Sequence, residues 1–378
     1  MRRIAGWPQQ TLTLEARGNR YARPLESFPQ SFRDDVKAYL SRLEAPDPLD
    51  PNAPTAPMRP ATVRHRRAQI LRVASALVED GMPIADITGL DVLVEPGNAR
   101  QALRWMIARN GGQTAPAIAD TAIMLKTMAR HAVRVSEAQD AAIADIARRL
   151  AVTPARGLTA KNRERLRQFE DPQLLHRVLT LPETLEREAR ALGPSRKACL
   201  RSEMAVAIAI LCLCPIRRKN LAALHLDHNL RRLGDGRVFL VFAPGEVKNR
   251  REIEFELPAR VVSLIEAHVA ARSPLLCPKG TRWLFPRRDG AAPMEPSGFS
   301  GKLRDIIRER TGAEMNPHLF RHLAAKLWLD HHPGNYEALR RLLGHAELSS
   351  TLNAYAGFEA GTATRLFAEL IDTRRAAP

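Results

Sequence analysis

Apolar residues recur every three to four positions along most of the chain and alternate with polar ones over only a short stretch. Residues 31–43 place Phe32, Val36, Tyr39, Leu40 and Leu43 on one stripe, the spacing of an amphipathic helix. From 62 to 79, Ile70, Leu71, Val73, Ala74 and Leu77 form a second stripe, with Arg64, Arg66 and Arg67 near its start and Gly81 as its stop. The helical period continues over 98–109, 116–133 and 136–150, and again over 162–169, 172–179, 182–192 and 197–213. It then changes. Residues 237–243 (RVFLVFA) and 252–257 (EIEFEL) have strand composition, the second alternating charged and apolar residues, and PGEVKNRR between them supplies a turn. Helices resume at 259–271, 301–311, 317–331 and 336–343. Residues 44–62 (EAPDPLDPNAPTAPMRPAT) carry too many prolines for a continuous helix and read as a linker or extended arm.

These patterns predict a mainly α protein with a small antiparallel β-sheet. At roughly 150 residues per domain, 378 residues hold two or three domains. The expected organisation is an N-terminal segment (1–58) with a short helix and proline-rich linker, a helical domain (59–152), a linker (153–164), and a larger mixed domain (165–378) ending in a tail helix.

Composition narrows the class. With 45% hydrophobic and 26% charged residues, the chain is neither disordered nor collagen-like, and no run approaches the length of a membrane helix. Lys and Arg number 58 against 41 Asp and Glu, for a formal charge of +17 carried through both halves, which points to a polyanionic partner. Only nine of the cations are lysines; the arginine fork suits bidentate phosphate contacts. Cys199, Cys212, Cys214 and Cys277 have no metal-ligand spacing, and the first eighteen residues lack the apolar stretch of a secretory signal. The expectation is a reducing, cytoplasmic location.

Polar residues interrupt apolar runs at four places. In 315–332 (MNPHLFRHLAAKLWLDHH), Asn316 is an N-cap, Pro317 the first helical residue, and His318 and Arg321 share a face, an arrangement suited to a phosphate. His318 and His322 have a zinc-like spacing, but no glutamate or third ligand accompanies them. In 211–226 (LCLCPIRRKNLAALHL), Pro215 breaks an apolar helix so that Arg217, Arg218 and Lys219 emerge at a junction. Lys248 lies in the predicted hairpin turn. In 340–359 (RRLLGHAELSSTLNAYAGFE), a helix ends at Gly344, His345 follows, and Tyr355 lies on a second short helix capped at Ser349 or Ser350. Each stretch alone is as well explained by a solvated surface or ordinary packing.

In order, these residues are Arg217, Lys248, His318-x-x-Arg321, His345 and Tyr355, and in this order the chain resembles the tyrosine recombinase (phage integrase) family over roughly residues 60–370. The matching pieces are PIRRKNLAALHL, GEVKNRREIEFELP, NPHLFRH, LLGH and NAYAG. Two positions depart from the family pattern: Asn220 stands where Glu is common, and the ten-residue spacing from His345 to Tyr355 is one longer than usual.

The resemblance implies a helical core-binding domain and a catalytic domain closing as a clamp around double-stranded DNA at a specific site. Tyr355 would attack a phosphodiester to give a 3′-phosphotyrosyl bond. Arg217 and Arg321 would hold the non-bridging oxygens, Lys248 would protonate the 5′-oxygen, His318 would assist proton removal from Tyr355, and His345 would bond the phosphate. No ATP, metal or other cofactor is implied. Four protomers would act together through the tail, 360–370, with Leu366, Phe367 and Leu370 on one face, assisted by accessory DNA-bending or directionality proteins. Arg64, Arg66, Arg67, Arg218, Lys219 and Arg250 are the candidate DNA contacts. The class implied is a soluble, nucleoid-associated bacterial enzyme of a mobile element. A type IB topoisomerase, a telomere resolvase, or a non-catalytic regulator built on an integrase are the alternatives; a metal nuclease is disfavoured by the lack of clustered carboxylates.

Overall fold

The computed structural model describes residues 21–152, 157–247, 249–272, 275–277, 280–358 and 360–376. They fall into two compact units, Met1–Pro154 and Ala155–Pro378.

The first unit is helical: α1 (Gln30–Glu44), α2 (Pro60–Glu79), α3 (Leu90–Val94), α4 (Pro96–Arg109), α5 (Pro116–Met128) and α6 (Glu137–Arg149). Proline at the first turn starts α2, α4 and α5, where its missing N–H costs nothing, and a Ser136–Gln139 capping box starts α6. Their stripes meet in one core around Phe32, Ile70, Leu77, Leu103 and Met124. The stripe of α1 is part of that core: Phe32, Val36 and Leu43 pack with α2 to α6, and the Met58 N–H donates to Leu43 O at 2.9 Å. The proline-rich segment therefore turns back on α1, where the sequence suggested a segment separate from the helical unit.

The second unit contains α7 (Ala160–Arg167), α8 (Pro172–Leu179), α9 (Leu181–Ala191), α10 (Arg196–Leu213), α11 (Arg218–Ala222), α12 (Leu226–Asn229), strands β1 (Leu230–Arg232), β2 (Val238–Phe242) and β3 (Ile253–Leu257), then α13 (Ala259–Arg272), α14 (Pro296–Thr311), α15 (Pro317–His331), α16 (Tyr336–Leu343), α17 (Leu348–Tyr355) and α18 (Ala360–Ala376). Helix α10 is buried from Met204 to Leu211 between α9 and α13. Each fully buried leucine or isoleucine there contributes about 1.5–3 kcal/mol. The sheet is antiparallel in the order β1-β2-β3, with Leu240 opposite Phe255 and Phe242 opposite Ile253. Arg272, at the end of α13, donates to Leu284 O at 2.6 Å and Thr281 O at 3.1 Å, pinning the loop that leads to α14. The fold is thus mainly α with a small antiparallel sheet. Among the described residues no helix is long and apolar enough to cross a membrane.

Candidate active site

The second unit draws five of the six residues picked from sequence to one place. Helix α10 stops before Pro215, and Arg217 follows in extended backbone (φ −76°, ψ 147°) as the N-cap residue of α11. Helix α15 starts where expected: Asn316 Oδ1 accepts the N–H groups of His318 and Leu319, both at 3.0 Å. One turn on, the Arg321 side chain is buried. It donates through Nη2 to Leu343 O at 2.7 Å and through Nη1 to Pro215 O. One guanidinium therefore ties the end of α16 to the junction carrying Arg217. Burial, and then the charge of Arg217, pull the Arg321 pKa down to about 10.

Tyr355 ends α17 and is 3% exposed, packed among Ala325, Leu329, Leu339 and Leu343. Its hydroxyl lies 3.0 Å from His322 Nδ1. The His345 ring is parallel to it, with centroids 6.3 Å apart. Burial pushes the phenol pKa up to about 12, against the opposing pull of Arg321 and Arg217. His345 is set by its neighbours: its N–H donates to Arg340 O at 3.0 Å, and Nδ1 pairs with Thr351 Oγ1 at 2.9 Å. Its pKa is lowered to about 4 by burial, then by Arg321, Arg217 and Arg340. His322 falls to about 3 through burial, then His318, Arg321 and His345. His318, at the exposed rim, is lowered by desolvation of its inner side, then by Arg321, Arg217 and Arg218. Near neutral pH the imidazoles are uncharged, and two guanidiniums share a poorly solvated pocket, a field that favours an anion.

The imidazole on the phenol is that of His322, not that of His318, to which the resemblance gives the proton. Residues 318 and 322 lie one turn apart on the same face of α15 with ring centroids 4.6 Å apart, and His322 is the deeper of the two. Nothing in the sequence separated them beyond the i, i+4 spacing itself.

Lys248 lies outside the described residues; the turn around it is held on both sides. Asn249 Nδ2 donates to Gly344 O at 2.6 Å, and Arg251 Nη1 to Ala346 O at 3.1 Å. The Glu246 carboxylate accepts from Asn229 Nδ2 at 3.0 Å and from the Ala243 N–H at 2.8 Å. Asn220 Nδ2 reaches Glu246 O at 3.4 Å, so the residue that departs from the family pattern braces this turn against α11. Gly344 caps α16 in the left-handed region (φ 60°), and a Cβ there would lie 2.2 Å from Ile253 Cδ1. The hairpin and the turn bearing His345 thus touch backbone to side chain.

The remaining candidates are spread out. Arg218 and Lys219 are exposed on α11, and Arg218 is near enough to Glu295 to help lower its pKa, after the Ser297 and Gly298 hydrogen bonds and against desolvation. Arg250 is exposed at the hairpin tip with φ 51°. Arg64 and Arg67 are exposed on α2 in the first unit, and Arg66 donates to Gln69 Oε1 at 3.1 Å. On α18, Phe367 and Leu370 are exposed.

Comparison with known proteins follows the same lines. Residues 182–360 match the phage integrase family. No curated protein matches the chain. Among solved structures, it is similar to the XerH site-specific recombinase bound to its difH substrate in a pre-cleavage complex, with 16% identity over 86% of this chain and 88% of that one and a TM-score of 0.50. It is also similar to the Tn1549 transposon integrase in complex with a circular intermediate DNA (15% identity, 86% and 99% covered, TM-score 0.43) and to XerA recombinase (13%, 88% and 98%, 0.34). At these identities the likeness to XerH is one of fold.

Proposed function

We propose, for a chain that belongs through residues 182–360 to the phage integrase family of site-specific recombinases, that Tyr355 is the nucleophile of DNA strand cleavage and rejoining. The observation that carries this reading is a buried phenol within the charge field of two guanidiniums, Arg217 and Arg321. A tyrosine is a weak nucleophile near neutral pH, so it needs a phosphate whose developing charge is already matched.

Tyr355 Oη attacks the scissile phosphorus, and the 5′-oxygen leaves. Arg217 and Arg321 bind the non-bridging oxygens and stabilise the pentavalent transition state; one such donor is typically worth ~3 kcal/mol. His345, held by Thr351, donates to the same phosphate, and His318 faces it from the rim. Lys248, which precedes Asn249 in the chain, protonates the 5′-oxygen. The phosphodiester energy is kept in the 3′-phosphotyrosyl bond, and a 5′-hydroxyl of another strand reverses the step. Arg64, Arg66, Arg67, Arg218, Lys219 and Arg250 contact the DNA backbone. The exposed Phe367 and Leu370 on α18 support docking of the tail on a neighbouring copy, in an assembly of four on two duplexes.

The test incubates the full chain, and Tyr355→Phe beside it, with nicked duplexes tiled across the DNA flanking its gene. A protein–DNA band that survives boiling in detergent and vanishes with Tyr355→Phe is expected. Binding without any adduct favours a regulator, and an adduct persisting in the variant overturns the choice of nucleophile.

A further inference from the structure

We infer that His322 takes the proton of Tyr355 as the bond to phosphorus forms, and that Asn162 is the positioning residue that fixes the tautomer needed for this. The inference rests on Tyr355 being the nucleophile. A buried phenol must give its O–H to an acceptor. Tyr355 Oη lies 3.0 Å from His322 Nδ1, while the nearby guanidiniums of Arg217 and Arg321 have donors only. Nδ1 is therefore bare, and the ring proton sits on Nε2. That nitrogen faces the side-chain amide of Asn162, with Nδ2 and Nε2 3.5 Å apart. A half-turn of the amide sets its oxygen on the ring N–H, the pairing that a bare Nδ1 requires.

Asn162 is well placed to hold such a ring. It stands in the first turn of α7, where its backbone N–H donates to Thr159 Oγ1 at 3.2 Å, and α7 packs against α15. The groups facing the imidazole are His318 and Arg321 on its own helix, His345, and Tyr355 on α17. In the free protein, burial and the surrounding positive charge keep the ring neutral, and burial, outweighing the pull of Arg321 and Arg217, keeps the phenol protonated. An incoming phosphodiester brings the anion that offsets Arg217 and Arg321. The ring then becomes a better acceptor while the phosphorus meets the phenol oxygen, so proton transfer waits for substrate. The step balances: the Oη–P bond forms, the phenol proton moves to Nδ1 to give an imidazolium, the P–O5′ bond breaks, and the 5′-oxygen takes a proton from Lys248. In rejoining, His322 returns the proton to Oη as the tyrosine leaves.

The experiment compares wild type, His322→Gln, His322→Ala, Asn162→Ala and Lys248→Ala on DNA that supports the adduct, with either oxygen or sulfur at the 5′-bridging position. Loss of a general base costs about 10²–10⁴-fold. Both His322 variants should form adduct at least 100-fold more slowly on either DNA, with a rate that climbs about tenfold per pH unit where wild type is flat. Lys248→Ala should recover on the sulfur-bridged DNA, which needs no acid. Asn162→Ala should show a smaller loss with the same change in pH profile. His322→Gln within a few-fold of wild type means that the ring only fills space and holds the phenol, and overturns the inference while Tyr355→Phe remains dead. An adduct surviving in Tyr355→Phe overturns both readings. Nitrogen-15 spectra of the free protein, with His322 assigned by difference from His322→Gln, supply a readout without DNA. The expected ring is neutral with Nδ1 bare; a proton on Nδ1 overturns the inference.

Discussion

Gly344 offers the sharpest quantitative test, because the site depends on it twice. It ends α16 at φ 60°, ψ 40°, and it passes against Ile253 of β3. An alanine there takes on the left-handed penalty of an L-residue, about 1–2 kcal/mol. Its Cβ would also sit 2.2 Å from Ile253 Cδ1 and 3.0 Å from Cγ1, far inside van der Waals contact. Relieving that overlap by an off-rotamer isoleucine or a shifted strand costs about 1–3 kcal/mol. Gly344→Ala should therefore lose about 2–5 kcal/mol in urea denaturation. Ile253→Ala removes the obstructing atoms, so in the double variant the steric part should disappear and the dihedral part remain, giving a coupling of about 1–3 kcal/mol between the two sites. The Gly344 carbonyl also accepts from Asn249 beside Lys248, so adduct formation by Gly344→Ala should fall and recover in parallel with stability in the double variant. A loss below about 0.5 kcal/mol, or losses that simply add, would refute the close approach.

Three further outcomes follow from the same structure. Glu203 is buried on α10 and its pKa is pushed up to about 7 by burial, against the pull of Lys302 and Arg272; a folded pKa above the unfolded value of 4.5 means that its stability contribution is fully present below the unfolded pKa and is lost as pH rises to about 7. Glu203→Gln should remove a loss of about 3 kcal/mol across that window, read as the difference between variant and wild-type stability at pH 5 and pH 8; an unchanged difference would count against it. Arg321→Ala strands two buried carbonyls, Pro215 O and Leu343 O, and should cost about 2–4 kcal/mol of stability, whereas an unshifted denaturation midpoint would show that Arg321 is no staple. DNA affinity should drop about 10³-fold or more between 50 and 200 mM salt if six or more phosphates are neutralised; fluorescence anisotropy reads the slope, and a flat response contradicts a phosphate-led interface.

The long amphipathic stretches were legible because burial of one face dictates their period: α2, α5, α6, α10 and α15 lie where the stripes put them. The alternation in 252–257 marks β3, and its pairing with β2 follows from the Pro- and Gly-containing turn between two neighbouring strand-like runs. What escaped was short or masked by unusual residues. β1 has three residues, and α11 and α12 have five and four, too few for a period to declare itself. Helix α14 begins at Pro296, five residues before the stripe suggests, because Gly298 and Gly301 dilute its first two turns while Glu295 caps it. The membership of α1 in the first core depends on the chain turning back through a proline-rich stretch, a contact no local pattern encodes. Likewise, sequence placed His318 and His322 on one helical face, but which of them meets the phenol is decided by how α17 packs on α15.

Arg321 shows why the six-residue order was readable while the wiring beneath it was not. A guanidinium has five N–H donors, and the fold commits one on each terminal nitrogen to the carbonyls of Pro215 and Leu343. Those two bonds pull the loop before Arg217 and the turn before His345 to the same charge, which is how residues more than a hundred positions apart come to share one field. Three N–H groups are left, enough for a bidentate grip on a phosphate. The same side chain is therefore both the staple that assembles the pocket and a ligand for what enters it. A lysine at that position keeps the charge but, with three donors on a flexible stem, cannot hold both carbonyls and still present a planar pair to a phosphate.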